Sequence, residues 1–158
     1  MAEFKQITIE KLIPDDAKSL SELLSSADPE YSRYFIPFKY DKKTIEKILI
    51  RMVKDQYFGL YVGDLLAGFY MLRGFDQGYE IPSYGVWIGP NFSGLGLATL
   101  TLHHAFVWCR ANGIATLMLK VHPDNTVAKR LYEAEGFRAT STDPGNQNII
   151  YYRTFGSK

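Results

Sequence analysis

A chain of 158 residues has the length of one domain and buries roughly two thirds of the surface its unfolded form exposes, so a packed core is expected. With 46% hydrophobic, 15% aromatic and only 22% charged residues, the composition excludes disorder over any large part of it. Eighteen basic against seventeen acidic residues leave a net charge of +1, which argues against nucleic acid or an anionic membrane as partner, so any phosphate binding has to be local.

Cys109 is the one cysteine, so neither an intrachain disulfide nor a cysteine-based zinc site can form. Together with an N-terminus lacking an apolar stretch behind a basic patch, and no run of bilayer-spanning length, this predicts a cytoplasmic protein without a membrane association. Asn91-Phe92-Ser93 fits a glycosylation acceptor, but without a secretory signal it is a chance match.

Residues 4–13 alternate apolar and polar and predict a first strand, with Phe4, Ile7, Ile9 and Leu12 facing a core. Pro14-Asp15-Asp16 starts a helix in which Leu20, Leu23, Leu24 and Ala27 share a face, ended by Asp28-Pro29. An aromatic connection over 31–40 leads to a helix capped by Asp41, whose stripe is Ile45, Ile48, Leu49, Met52 and Val53. Runs at 57–62, 66–75 and 79–88, joined by turns at Gly63-Asp64 and Asp76-Gln77-Gly78, form an antiparallel meander. Pro82 falls inside the third run and cannot donate to a central ladder, so a bulge or irregularity is expected there.

A helix after Gly96 carries Leu102, Ala105, Phe106 and Cys109 on one side and stops at Asn112-Gly113. A strand at 116–121 follows. Asn125 or Asp124 then caps a helix that buries Ala128, Leu131 and Tyr132 and closes on Gly136, before a hairpin of 138–142 and 149–155. Hairpin-joined strands pair antiparallel and strand-helix-strand crossovers parallel. The expected fold class is therefore α/β (α+β): one domain over 1–158, with a mixed, mostly antiparallel central sheet of six to seven strands flanked by four helices.

The most informative stretch is Val86-Trp87-Ile88-Gly89-Pro90-Asn91-Phe92-Ser93-Gly94-Leu95-Gly96, a strand running through a glycine turn into a long helix. Gly94 and Gly96 keep no side chain between backbone and ligand, and the first helical turn leaves its N–H groups without partners. Those donors, at the positive end of the helix dipole, suit a phosphate or pyrophosphate. A dinucleotide fingerprint would need glycine where Thr99 stands and an acidic residue near Lys120-Val121-His122, and the Gly-Lys-Ser/Thr of a P-loop is absent.

Two motifs make the chain resemble the GNAT superfamily of N-acetyltransferases over essentially its whole length. The family's Gln/Arg-x-x-Gly-x-Gly/Ala is met by Asn91-Phe92-Ser93-Gly94-Leu95-Gly96, and its Asn...Ala...Tyr...Gly-Phe spacing by Asn125, Ala128, Tyr132 and Gly136-Phe137. The resemblance implies acetyl-CoA as cosubstrate. It puts the pyrophosphate on the backbone around Ser93, Gly94, Leu95, Gly96, Leu97, Ala98 and Thr99, and the pantetheine on main-chain groups near Val86 and Ile88. It implies that this strand and 116–121 diverge, and that Asn125 and Tyr132 touch the coenzyme. Asn91 stands for the usual Gln or Arg and Ser93 for a frequent basic residue, so the backbone has to hold the phosphates with less help from charge.

Amide formation from a thioester needs an unprotonated amine, a polarised carbonyl and a proton for the leaving thiolate. Tyr132, at the position of the family's tyrosine acid, is the candidate for the last, and Glu80 for the base, directly or through water. Tyr31, Arg33, Tyr34 and Phe35 sit where the family keeps its acceptor lid, and with Glu80 complete the candidate acceptor site. His103 and His104 point apart on one helix, so no metal is expected. The acceptor expected is a small-molecule amine. An amino sugar or sugar nucleotide ranks first, because 76–83 resembles acetyltransferases of amino-sugar and polysaccharide synthesis. A peptide acceptor, a non-catalytic coenzyme A binding module and assembly as a homodimer stay open.

Overall fold

The computed structural model describes residues 3–35 and 37–156. Ile36, within the aromatic connection, lies outside them. The elements run β1 (Ile7–Lys11), α1 (Ala17–Ser26), α2 (Lys42–Arg51), β2 (Gln56–Val62), β3 (Leu65–Arg73), β4 (Ser83–Ile88), α3 (Leu97–Ala111), β5 (Thr116–Val121), α4 (Thr126–Ala134), β6 (Arg138–Thr142) and β7 (Ile149–Thr154). That is the order expected, in one seven-stranded sheet ordered β1-β2-β3-β4-β5-β7-β6. Every neighbouring pair is antiparallel except β4 with β5.

Period-2 alternation divides the core between the two faces of the sheet. Phe69, Met71 and Trp87 meet Leu20 and Leu24 of α1 and Ile45 and Leu49 of α2 on one side. Tyr70, Leu72, Tyr84, Leu117 and Leu119 meet Leu102, Ala105, Phe106 and Cys109 of α3 and Tyr132 of α4 on the other. Local caps hold as expected: the Asp41 carboxylate accepts from the Thr44 amide at 3.0 Å, and the Asn125 side chain from the Ala128 amide at 3.3 Å.

Several boundaries differ. β1 starts at Ile7, and Phe4 and Ile7 are exposed rather than in the core: Phe4 precedes the strand, and Ile7 opens it at the edge of the sheet. Residues 14–16 form a 3-10 turn in which the Asp16 carboxylate accepts from the Ile13 amide, and the α-helix begins only at Ala17. Val53 lies beyond the end of α2 and is exposed, while Ala128 and Leu131 are half-buried, leaving Tyr132 as the buried residue of α4.

The largest difference is in β4. Residues 79–82 are not strand: the ladder begins at Ser83, directly after Pro82, because proline brings no N–H to it. The expected irregularity is thus absent from β4. It falls in β3, where the β2 register passes from Leu60 with Gly68 to Tyr61 with Leu66 and leaves Ala67 bulged.

The sheet is joined at its middle by little. β4 makes a run of pairs with β3 but a single one with β5, Ser83 with Met118, supported by the Met118 amide donating to the Pro82 carbonyl at 3.0 Å. Past that point the two strands part.

Beneath α3 the hydroxyl of fully buried Tyr70 meets His104 Nδ1 at 2.5 Å, and burial holds the His104 imidazole below its ordinary value. A depressed folded value means the unfolded chain takes up the proton first, so stability present above about pH 6.5 is lost as pH falls through the unfolded value. Urea midpoints should therefore fall between pH 7.5 and 5.5 by more in the wild type than in His104→Gln. Equal falls would contradict this role for the pair.

Candidate active site

After β4 the chain makes a 3-10 turn at Pro90–Phe92 and enters α3 through Gly94 and Gly96, whose φ angles are +78° and +83°. That left-handed backbone, rather than crowding, is what requires glycine, since a Cβ at either position would meet nothing within 4 Å. Residues 93–96 are exposed, and among the described residues no protein acceptor is bonded to the amides of 94–99; the first bond of α3 is Leu100 N–H to the Gly96 carbonyl at 3.0 Å. Leu97, buried with Leu60 and Ala67, seats this turn on the sheet. The Tyr84 hydroxyl meets Thr101 Oγ1 at 3.1 Å, and Thr101 donates to the Ala98 carbonyl at 2.8 Å, so β4 also fixes the helix start. Ser93 shapes the turn by donating to the Pro90 carbonyl at 2.9 Å. The result is an outward-facing row of main-chain donors at a helix N-terminus, the arrangement that holds a pyrophosphate.

The edge of β4 turned toward β5 continues that row. Pro82 points its carbonyl at Met118, and Ile88 points its own away from β3, accepting from the Tyr31 hydroxyl at 2.6 Å. By the alternation of the ladder, Val86 between them turns its N–H and C=O into the gap where β5 has moved away. An extended polar arm entering here would pair with Val86 and with the Ile88 N–H as a strand does.

Tyr132 reaches the same region from α4. Its ring stands edge-on to Tyr84 and to Phe137, at 6.3 and 5.7 Å between centroids. Like any tyrosine it carries its proton at neutral pH, and burial pushes its phenol further above the ordinary value. Among the described residues the hydroxyl bonds to no protein group. Since no buried side-chain polar atom there lacks a partner, it opens onto accessible space. Asn125 uses its carbonyl oxygen as the α4 cap.

On the opposite face, beyond the cover of α1 and α2, lies a cavity of about 950 Å³ lined by Tyr57, Arg73, Glu80, Ser83, Met118, Lys120 and Tyr152 among others. Ladder registers explain the company: Arg73 pairs with Ser83, Ser83 with Met118 and Met118 with Tyr152, so one face of four strands presents them in a row. Ser83 and Met118, the pair that joins β4 to β5, lie in its wall, so the cavity borders the point beyond which the strands part. Glu80 enters from the loop before β4 and is exposed. Asp76 shapes that end by accepting from the Val53, Lys54 and Asp55 amides at 3.0, 2.7 and 3.3 Å.

Of the expected acceptor residues, only Glu80 lines this cavity. The others form a strap over the far end of the gap. Tyr31 is bonded to Ile88, Trp87 donates to the Ser32 hydroxyl at 3.0 Å, and Tyr34 stacks on His122 of the β5 side at 4.6 Å. Phe35 packs edge-on against Phe69 in the core, and Arg33 stays on its own turn, bonded to the Glu30 carbonyl at 2.7 Å and lying over Tyr34. His103 pairs with Glu135 at 2.8 Å, away from His104, and Cys109 is fully buried with its thiol pushed up to about 12. Arg73, Tyr57, Ser32 and Tyr152 carry no signal in the sequence, and nothing there ties Trp87 or Lys120 to an acceptor site. Only alternation could have grouped Arg73 with Met71 and Phe69 on the α1–α2 face.

Residues 6–138 match the family model for the acetyltransferase (GNAT) domain. Solved structures share the fold over nearly the whole chain. One is the PaiA N-acetyltransferase of Thermoplasma acidophilum in complex with coenzyme A (21% identity, TM-score 0.77, 95% of this chain and 99% of that one). Others are the microcin C7 self-immunity acetyltransferase MccE in complex with acetyl-CoA and AMP (16%, 0.77, 95% and 93%) and RimL, a ribosomal L7/L12 alpha-N-protein acetyltransferase (12%, 0.80, 94% and 90%). No curated protein matches by sequence. With its family model covering most of the sequence, and a glycine turn and parted strands of the kind described, the chain belongs to the GNAT family of N-acetyltransferases.

Proposed function

We propose that the protein transfers the acetyl group of acetyl-CoA to a primary amine of a small molecule, by direct attack within a ternary complex. The observation that carries the donor assignment is a pair of main-chain sites without protein partners, the edge of β4 at Val86 and the Ile88 N–H, and the amides of 94–99 at the start of α3, which together fit an amide-bearing arm ending in a diphosphate. Two of the likened structures hold coenzyme A or acetyl-CoA, in keeping with that fit. A cavity of about 950 Å³ suits a small molecule, with an amino sugar or sugar nucleotide as the first class to test.

In this reading the amine, bound from the cavity side, forms its bond to the acetyl carbonyl carbon as the carbon–sulfur bond breaks. Glu80 takes the amine proton directly or through water, and Tyr132 gives its phenolic proton to the departing sulfur. Tyr132 is the residue a coenzyme-binding module without turnover would not need, and its unpartnered hydroxyl favours the enzyme. A peptide acceptor is the rival substrate, as one likened structure is an alpha-N-protein acetyltransferase. The lone buried cysteine fits a reducing compartment such as the cytoplasm, and among the described residues no helix is long and apolar enough to cross a membrane.

Tyr132→Phe should bind acetyl-CoA as the wild type does and lose about 10²- to 10⁴-fold in kcat in an assay of thiol release, the range for a positioned acid. Unchanged turnover would remove Tyr132 from the chemistry. Glu80→Gln should alter the pH profile of kcat/KM with the same donor affinity, and a superimposable profile would exclude Glu80 as the base.

A further inference from the structure

Four charged side chains line the large cavity, and three have no need of a ligand or are already assigned. Lys120 is paired with Asp143 at 2.8 Å, which ties β5 to the turn between β6 and β7. The Asp55 carboxylate accepts from the Asp76 amide at 3.1 Å. Glu80 is the proposed base. Arg73 remains: among the described residues it has no carboxylate at ion-pair distance, and its guanidinium sits beside the Tyr57 hydroxyl, whose ring is buried.

Its position is set by the sheet rather than by a flexible loop. Arg73 ends β3, opposite Ser83, on the same face as Met71, and the row continues through Met118 to Tyr152. A guanidinium held in a half-enclosed cavity presents a planar fork of donors, which matches the paired oxygens of a carboxylate or phosphate and has little use for a neutral group. Glu80, which lines the same cavity, is of the sign that an ammonium approaches. A molecule spanning the two would carry its amine and its anion at opposite ends.

Resting on the acetyl-transfer reading above, we infer that the acceptor is an amine that also bears an oxyanion, carboxylate or phosphate, and that Arg73 binds that oxyanion and sets acceptor specificity. The two sources of the oxyanion share one chemistry at Arg73 and differ in the molecule that brings it.

The test compares matched acceptors on the whole protein with acetyl-CoA: glucosamine 6-phosphate with glucosamine, phosphoethanolamine with ethanolamine, 4-aminobutyrate with butylamine, and phenylalanine with phenylalaninamide. In the wild type at least one oxyanion-bearing amine should exceed its neutral partner in kcat/KM by about 10- to 100-fold, the yield of a charge-assisted pair. The phosphate and carboxylate pairs show which source is used. Arg73→Gln should abolish that preference through KM with kcat nearly kept, Arg73→Lys should restore part of it, and coenzyme A titrations and melting curves should match the wild type in both. Equal use of charged and neutral partners, or an equal loss for both in Arg73→Gln, would overturn the assignment while leaving acetyl transfer standing. Failure of the wild type to take up coenzyme A, or to release thiol with any amine, would overturn acetyl transfer itself and this assignment with it.

Discussion

Main-chain N–H and C=O groups inside a sheet are costly to leave unpaired, yet β4 and β5 share only Ser83 with Met118 before they separate. That parting is the constraint on which the site depends. It exposes the main chain of Val86 and part of that of Ile88 to a gap whose floor is the protein's own core, and it leads straight into a glycine turn whose amides are unpartnered as well. A ligand that satisfies both sets must be extended, rich in hydrogen-bonding groups and anionic at one end. The rest of the molecule keeps the gap open. β3 holds β4 along its whole length, β7 holds β5, and Tyr84 and Leu97 lock the start of α3 to the sheet.

The two faces then divide the labour. From the α3–α4 side Tyr132 brings a protonated phenol, its ring standing edge-on to Tyr84 and Phe137. From the α1–α2 side the helices stop short and leave the cavity in which Glu80 and Arg73 face a common space. Between them the strap of residues 31–35 crosses the far end of the gap, bonded to β4 by Tyr31 and Ser32 and stacked on His122. In the proposed reaction the donor enters along the β4 edge and the acceptor from the cavity side.

Much of this could be read from the chain because its signals are local. The limits of β5 are matched to the residue, since an apolar run stands between Gly113 and Pro123, and the caps at Asp41 and Asn125 need only a side chain three positions from an amide. The glycine turn was legible for the same reason. Tyr79 to Ile81 misled because aromatic and branched residues suit a strand, while Pro82 beside them withholds the N–H that a ladder needs. Ala67 carries no mark of a bulge, which arises from two strands of unequal local length. The large cavity was illegible for a deeper reason. Tyr57, Arg73, Ser83, Met118 and Tyr152 come from five strands, and only their registers make them neighbours. A charge at the end of an apolar run looks like a strand end in solvent until the sheet shows what it faces.

The central claim is that main-chain amides at the start of α3 hold the donor's diphosphate. Titrating ¹⁵N-labelled protein with coenzyme A, and following each backbone amide by NMR, tests it most directly. The amides of Gly94, Leu95, Gly96, Leu97, Ala98 and Thr99 should shift together and saturate with one coenzyme per chain, followed by Val86 and Ile88. Saturable binding that leaves those six amides unmoved, or no saturation at all, would contradict it.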